Sequence, residues 1–483
     1  MAIANTKAGT FQGVEDGAVS NFLGIRYAEP PTGKNRFQPP QPLESIGETY
    51  DATTFGTRNF QVAEYEGLEA DPEIFGAQSE DCLFLNVYAP SNMVGSKPVM
   101  VWIHGGAFIS GSGNQYVPTR IVAENDVIVV TINYRLGIFG FIDLSQFGPE
   151  YSGSANLGLQ DQIAALRWVQ DNIAAFGGDP DNVTIWGESA GAASVFALLG
   201  APAAEGLFHK AAPFSGTETI TPPLNQIALL KAALEIESDE DCLNTLKSLP
   251  AKELSELQEK SGFYGGPSLD GTILTQRSME AVQQGWASQI PILTGNTLDE
   301  GTMLAPPYAA NEQVGMATLF ALGPLVSNDD GTPYRDYLQS MVPDGDLKKQ
   351  LTHAWLDVFR SSALRVASAA SQYGAGGWVY SFEVPTDHEW GITHYADVPF
   401  AFNWIEEGNP ALFVHPPTPE NREIAQRWSD TVIAFARTGS PNGGGLPEWH
   451  KFQPDSYASM RISHQPELIE RADADKLELY DVA

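Results

Sequence analysis

The chain has 483 residues, of which 43% are hydrophobic and 18% are charged, so it contains enough apolar material for a folded core and is not a disordered protein. Its 27 basic and 60 acidic residues give a formal net charge of −33, which argues against nucleic acid or an anionic membrane surface as a partner. No apolar run reaches the roughly 18 residues of a membrane helix, and the N-terminal segment lacks the apolar core of a signal peptide. We therefore expect a soluble, cytoplasmic protein without a membrane span, with a secreted form whose leader was trimmed as the alternative.

The cysteines are too few for a disulfide scaffold. Only Cys82 and Cys242 occur, and neither lies in the CxxC spacing of a zinc or redox site. Two free thiols in a reducing compartment are the simpler interpretation, although the sequence leaves open whether the two are linked. We expect neither a metal nor a cofactor.

The most regular part of the chain alternates between predicted strands and helices. Short apolar runs rich in β-branched residues predict buried strands at 99–103, 127–132 and 182–186. Apolar residues spaced three or four apart predict a helix over 159–173, and a run of small residues predicts another over 190–199. This alternation indicates an α/β fold with a largely parallel sheet.

Two later segments differ from this pattern. Residues 220–290 and 305–375 contain helix-favouring runs and few buried-strand patterns. No internal repeat and no long linker separates them from the rest of the chain. We therefore predict helical excursions from the sheet.

A serine lies in the setting of a catalytic nucleophile. Residues 187–191 fit the pattern GxSxG, in which glycines flank a serine at a tight turn between a strand and a helix. The motif alone is weak, because it arises readily by chance. Here a predicted strand precedes it and a predicted helix follows it, so Ser189 is the candidate nucleophile and a merely structural serine is the alternative.

A serine hydrolase also needs N–H groups that stabilise the oxyanion of its tetrahedral intermediate. The glycine-rich stretch at 104–108 directly follows a predicted strand, and its backbone N–H groups would donate together with that of Ala190. An ordinary turn at the end of a strand is the alternative. The serine motif about 80 residues later favours the oxyanion hole.

Besides the serine motif, the chain contains the stretches Phe22-Leu-Gly-Ile-Arg-Tyr-Ala-Glu-Pro-Pro31, Arg36-Phe37, Ser79-Glu-Asp-Cys-Leu-Phe-Leu-Asn-Val87, Asn133-Tyr-Arg-Leu-Gly137, Asn156-Leu-Gly-Leu-Gln-Asp161 and Phe176-Gly-Gly-Asp-Pro180. In this order they resemble type-B carboxylesterases, the family that includes cholinesterases and bacterial para-nitrobenzyl esterases. The resemblance extends from about residue 10 to 460. It implies one α/β-hydrolase domain over residues 1–483, a mostly parallel sheet flanked by helices, and helical excursions over the active site.

The same resemblance selects the remaining catalytic groups. Relatives donate from the second and third residues of the glycine-rich loop, here Gly106 and Ala107, so that Gly105 would serve the geometry of the turn. The catalytic acid of the family lies in a short Asp-Glu-Gly stretch and corresponds to Glu300, with Asp299 as its unassigned neighbour.

The chain has seven histidines after the serine motif, and similarity to the family selects His394, followed three residues later by an acidic residue and an apolar run. His388 is the second candidate. Two supporting residues are implied as well: Glu188 beside the nucleophile and Ser215 near the triad. Both have a purely structural role as the alternative.

The chain departs from the family at two points. Secreted members pair the equivalent of Cys82 with an earlier cysteine, and no cysteine precedes Cys82 here. The segment 61–72 contains no tryptophan that could bind choline as in cholinesterases. A disulfide-closed lid and a cholinesterase activity are therefore disfavoured.

The resemblance implies a serine carboxylesterase that hydrolyses short- to medium-chain carboxylic esters through an acyl-enzyme, with a small-molecule ester as its partner. A long-chain lipase is the alternative, and a non-catalytic binding protein on the same fold is a remote one. Amide or carbamate cleavage would use the same groups. The oligomeric state and the natural ester are left open.

Overall fold

The computed structural model describes the whole chain except residues 8, 44–48, 62–75, 93–94, 219–225, 410 and 483. Most of the segment 61–72, whose lack of tryptophan disfavours a cholinesterase, lies outside the described residues. The chain divides into two compact units, one of residues 1–209 and 220–277 and the other of residues 210–219 and 278–483. The expectation of a single domain stays a prediction.

The sheet of the first unit combines an antiparallel and a parallel part. Its strands are β1 (Ala2–Asn5), β2 (Thr10–Asp16), β3 (Val19–Arg26), β4 (Thr49–Asp51), β5 (Phe84–Pro90), β6 (Lys97–Ile103), β7 (Ile128–Ile132) and β8 (Gly178–Glu188). The strands β1, β2, β3, β5 and β7 pair antiparallel in that order. Strand β6 runs parallel to β7 and β8, as the alternating pattern predicts, and β4 lies parallel to β2.

The first unit contains the helices predicted over 159–173 and 190–199, besides two short helices that the sequence did not predict. They are α1 (Thr119–Asn125), α2 (Gly137–Phe141), α3 (Leu157–Asn172), α4 (Ala190–Leu199), α5 (Gln226–Leu234), α6 (Asp239–Ser248) and α7 (Ala251–Ser261). Leu159, Ile163 and Val169 of α3 are buried, which agrees with the helical spacing of its apolar residues. The described part of the segment 220–290 is rich in helix, as predicted.

A buried ion pair explains two of the sequence motifs of the first unit. Arg135 follows strand β7, and its guanidinium donates to both carboxylate oxygens of Asp161 on α3, from Nε and Nη2, at 2.7 Å each. Both side chains are almost fully buried. Because burial penalises each charge, loss of either partner would leave the other charge buried without compensation and would destabilise the fold.

A second pair joins two other motifs. Arg36 binds both carboxylate oxygens of Glu80 at 2.6 and 2.7 Å. Its Nη1 also donates to the carbonyl oxygen of Leu249 at 2.6 Å, just after α6 ends. A cation at that position satisfies carbonyl groups that the helix leaves without partners. Arg36, which is held by Glu80, therefore binds the C-terminal end of α6, a helix of the predicted excursion over 220–290.

The second unit contains a mainly parallel sheet and long helices. Its strands are β9 (Lys210–Phe214), β10 (Ile292–Thr297), β11 (Gly377–Phe382), β12 (Ser459–Ile462) and β13 (Glu467–Ile469), of which β9 to β12 are parallel neighbours and β13 pairs antiparallel with β12. Its helices are α8 (Ser278–Gln284), α9 (Gly301–Ala309), α10 (Glu312–Ser327), α11 (Thr332–Met341), α12 (Leu347–Tyr373), α13 (Val398–Ala401) and α14 (Pro419–Thr438). Among the described residues, no helix is both long and apolar enough to cross a membrane.

Removing one partner of the buried pair should destabilise the fold. In Arg135→Leu the carboxylate of Asp161 stays buried without its cation, and we expect the free energy of unfolding to fall by about 3–5 kcal/mol. Urea unfolding followed by tryptophan fluorescence measures this. Arg120→Leu is the matched control, because the Arg120–Glu124 pair on α1 is partly exposed and its loss should cost no more than about 0.5 kcal/mol. Equal midpoints for the two variants would contradict the assigned role.

Candidate active site

The GxSxG motif forms a strained turn between β8 and α4. Ser189 precedes α4 directly and has φ 57° and ψ −121°, a conformation that L-residues rarely adopt. A Cβ atom at Gly187 would lie 2.5 Å from the carbonyl oxygen of Ile103, and one at Gly191 would lie 2.0 Å from the same oxygen. Both motif glycines are therefore required by the end of strand β6, which leaves no room for a side chain.

The loop after β6 lies directly against this turn. A Cβ at Gly105 would lie 2.7 Å from the carbonyl oxygen of Glu188 and 3.1 Å from Cβ of Ser189. Gly106 and Ala107 have φ values of 105° and 53°. The turn geometry expected at Gly105 is thus found at Gly106, while Gly105 is needed for close approach to the serine. With Phe108 at φ 60°, three consecutive residues of positive φ give the loop an unusual backbone next to Ser189.

A buried histidine anchors the same loop. The ring of His104 stacks on Tyr134 with centroids 4.5 Å apart, and the Tyr134 hydroxyl donates to the His104 carbonyl oxygen at 2.8 Å. Burial lowers the pKa of His104 to about 4. This imidazole is therefore neutral at neutral pH and has a structural role.

In the second unit, Glu300 binds His394. The Glu300 Oε2 atom lies 2.5 Å from Nδ1 of His394, and both side chains are buried. The other carboxylate oxygen accepts from the Ser215 hydroxyl at 2.5 Å and from the Thr297 backbone N–H at 2.8 Å. Three donors therefore fix the carboxylate, which in turn fixes the imidazole. A carboxylate on Nδ1 leaves Nε2 of the neutral ring as the basic nitrogen.

One face of the His394 ring is covered by an aromatic side chain that the sequence did not single out. Phe359 of α12 stacks on the imidazole with centroids 5.0 Å apart and an interplanar angle of 17°. Trp355, one turn earlier, stacks on Phe359 at 6.1 Å. The apolar pattern of α12 identifies these residues only as helix residues, because nothing local shows which side chain meets the histidine.

Asp397 is a further carboxyl group in this environment. It is fully buried and accepts a hydrogen bond from the Tyr380 hydroxyl at 2.6 Å on Oδ2, while Oδ1 has no hydrogen-bond partner among the described residues. The pKa of Asp397 is raised to about 7, chiefly by burial; the hydrogen bond from Tyr380 and the charge of His394 act in the opposite direction, and the charge of Glu300 adds to the increase. The acidic residue that helped to identify His394 is therefore poised to carry a proton near neutral pH.

The remaining predicted residues have these positions. Glu188 is buried beside Gly105, while Ser215, with φ 50°, contacts Glu300 rather than only lying near it. His388 accepts a hydrogen bond from the backbone N–H of Trp390 at 3.2 Å and is not the histidine that Glu300 contacts. The described cysteines, Cys82 and Cys242, are both buried and free, so they are not linked.

The candidate groups fall into two sets. Ser189, Gly106, Ala107 and Ala190 belong to the first unit, and Glu300 and His394 to the second. Their assembly into one triad stays a prediction. Across the part of the chain that the structure describes, no group of three or more His, Cys, Asp or Glu side chains is placed to hold a metal ion.

Comparison with known proteins gives one consistent result. The family model described as the carboxylesterase family matches residues 1–479. The chain is 36% identical to a para-nitrobenzyl esterase of Bacillus subtilis over 97% of both chains, and 34% identical to carboxylesterase 1C of Rattus norvegicus over 92% of this chain and 86% of the relative.

Solved structures agree with the sequence comparison. A PNB esterase structure has a TM-score of 0.86 at 33% identity and covers 99% of both chains. A carboxylesterase structure from Geobacillus stearothermophilus has a TM-score of 0.86 at 34% identity, over 99% of this chain and 100% of the other. The predicted α/β-hydrolase fold is thereby confirmed.

The raised pKa of Asp397 has a consequence for stability. The folded state binds the proton of Asp397 more tightly than the unfolded chain does. Protonated Asp397 therefore contributes to the free energy of unfolding below pH 4, and this contribution is lost as the pH rises towards 7. In Asp397→Asn the side chain cannot ionise, and the pH-dependent loss should shrink by up to about 4 kcal/mol between pH 4 and pH 8.

Urea unfolding of both proteins across this pH range measures the effect. The quantity to compare is the slope of the free energy of unfolding against pH. The absolute values differ as well, because the asparagine leaves a buried donor and lowers stability at every pH. Parallel curves for the two proteins would contradict the raised pKa.

Proposed function

Because the chain belongs to the carboxylesterase family and is a carboxylic ester hydrolase, we propose that it cleaves short- to medium-chain esters through an acyl-enzyme on Ser189, with His394 as the general base and Glu300 as the partner of that base. The observation that carries the proposal is the 2.5 Å contact between Glu300 Oε2 and His394 Nδ1. Such a contact orients an imidazole and assigns its basic nitrogen, as a serine hydrolase requires.

Acylation begins at the serine. In this proposal Nε2 of His394 takes the proton of the Ser189 hydroxyl while Oγ attacks the ester carbonyl carbon, forming a tetrahedral intermediate. Glu300 stabilises the imidazolium that results, without taking its proton. The intermediate then expels the alcohol, which receives the proton from His394, and the acyl group remains on Ser189.

The oxyanion is assigned to the backbone N–H groups of Gly106, Ala107 and Ala190. The close packing of Gly105 on Ser189 supports this assignment, because it brings the loop to the nucleophile. Ala190 is the first residue of α4, so its N–H belongs to the positive end of a ten-residue helix. Both features favour negative charge on the attacked oxygen.

Deacylation reverses the roles. A water molecule gives its proton to Nε2 of His394 and attacks the acyl carbon, and collapse of the second tetrahedral intermediate returns the proton to Oγ of Ser189. The products are an alcohol and a carboxylic acid.

The size of the ester is proposed from the relatives. The Bacillus subtilis relative is by name an esterase of para-nitrobenzyl esters, whose alcohol part is a single substituted ring. We assign a small-molecule ester of comparable size to this chain. The two free, buried cysteines also support a reducing, cytoplasmic location.

Replacement of the nucleophile should abolish the reaction. We expect Ser189→Ala to lower kcat for para-nitrophenyl butyrate by at least about 10⁴-fold, because no acyl-enzyme can form. Release of para-nitrophenolate is the measurement, and loss of labelling by an organophosphate is the accompanying control. Unchanged hydrolysis in the variant would remove Ser189 from the mechanism.

The same assay, run on the wild type with para-nitrophenyl esters from acetate to palmitate, tests the substrate class. A maximum at short or medium acyl chains agrees with the proposal, and a maximum at long chains indicates the lipase instead. Failure to hydrolyse any of them, with no organophosphate labelling, would favour a binding protein.

The acid of the triad can be tested separately. In Glu300→Gln the amide cannot stabilise an imidazolium, and its N–H group can reverse the tautomer of His394, so we expect kcat to fall by about 10³–10⁴-fold. KM should change little, because the Glu300 side chain is fully buried and contacts His394, Ser215 and Thr297. Activity near that of the wild type would contradict the role of Glu300, and Glu389→Gln, an exposed carboxyl on the segment that precedes His394, is the control.

A further inference from the structure

Asp299, the residue before Glu300, forms a reciprocal pair of hydrogen bonds with the chain that leads to His394. Its backbone N–H donates to the carbonyl oxygen of Ile392 at 3.0 Å. Its carboxylate oxygen Oδ2 accepts from the backbone N–H of Ile392 at 2.8 Å. One residue thus satisfies both polar backbone groups of a position two residues before the histidine.

The neighbouring backbone is shaped around this carboxylate. Gly391 has φ 62°, and a Cβ at that position would lie 2.4 Å from Oδ2 of Asp299. A side chain there would displace the carboxylate from Ile392. The segment can approach Asp299 only because residue 391 is glycine.

Thr302 makes a second connection between the same two segments. Its hydroxyl oxygen lies 2.6 Å from the carbonyl oxygen of Trp390 and 2.9 Å from Oγ1 of Thr393. The backbone N–H of Thr302 donates to the carbonyl oxygen of Asp299 at 3.0 Å, which fixes the two residues to each other. The segment 299–302 therefore contacts the segment 390–394 at several positions: Asp299 at Ile392, Glu300 at His394, and Thr302 at Trp390 and Thr393.

We propose that Asp299, assisted by Thr302, is a positioning residue of the acyl-transfer reaction, which holds the segment carrying His394 in register with Glu300. The inference rests on the proposed function, since it assumes that His394 is the base. The two adjacent carboxylates then have different tasks: Glu300 orients the imidazole ring, and Asp299 holds the backbone from which that ring extends.

The physical need for such a connection follows from the backbone around the histidine. Tyr395, directly after His394, has φ 74°, an unfavourable conformation for a residue with a side chain. A strained segment keeps one conformation only where its surroundings enforce it. The bond to Glu300 restrains the ring, but a shift of the backbone by about 1 Å would still move Nε2 out of reach of its proton donor.

The test uses the full chain with Asp299→Ala and Asp299→Asn. Alanine removes the acceptor, and we expect kcat for para-nitrophenyl butyrate to fall by about 10–100-fold with KM changed less than about twofold. Asparagine keeps an oxygen acceptor of the same reach, so it should restore kcat to within about threefold of the wild type. Asp387→Ala is the matched control, because this aspartate lies on the same segment and is exposed, and its kcat should equal that of the wild type.

The outcomes separate the possibilities. A folded Asp299→Ala variant with the kcat of the wild type would overturn the proposal, as would an asparagine variant as impaired as the alanine variant. If the alanine variant does not fold, Thr302→Val provides the test, since it removes only the hydroxyl contacts. Full kcat in that variant would then count against the proposal.

The proposed function fails by a different result. Persistent hydrolysis in Ser189→Ala would show that the nucleophile itself is misassigned. Loss of hydrolysis in Ser189→Ala, combined with full kcat in Asp299→Ala, would leave the esterase mechanism intact and overturn only the role of Asp299.

Discussion

The buried carboxylate of Glu300 is the interaction on which the histidine side of the site depends. It receives hydrogen bonds from Thr297 and Ser215 on one oxygen and contacts Nδ1 of His394 with the other, so both of its oxygen atoms are held. A buried carboxylate is costly unless such donors surround it. The same donors that make its burial tolerable give the imidazole a single orientation, and stability and function therefore share one set of contacts.

The rest of the histidine environment extends this principle. Phe359 covers one face of the ring, and Asp397 lies buried three residues further along the chain. An apolar cover restricts water, which strengthens the electrostatic effect of every charge nearby. The burial of Asp397 itself raises the pKa of that carboxyl group, which therefore holds its proton more tightly than an exposed aspartate does.

Sequence patterns predicted the architecture well and the site unevenly. The helix over 157–172 and the turn at Ser189 follow from local signals, namely apolar spacing and a glycine-flanked serine between strand and helix. Glu300 and His394 were selected only by resemblance, because residues 94 positions apart give no local sign of contact. Asp299 and Phe359 were not assigned at all, since their contacts with residues 392 and 394 depend on how the chain folds back.

The glycines around Ser189 also bear on how such an enzyme can diversify. Gly187 and Gly191 abut the carbonyl oxygen of Ile103, and Gly105 abuts that of Glu188, so their neighbours are main-chain atoms that no exchange of side chains can move. Substitutions at these glycines are therefore not tolerated, and evolutionary change of the enzyme leaves the turn around Ser189 unaltered. A substitution at any of these three positions could therefore be accommodated only by a movement of the main chain, which a compensating side-chain change elsewhere does not supply.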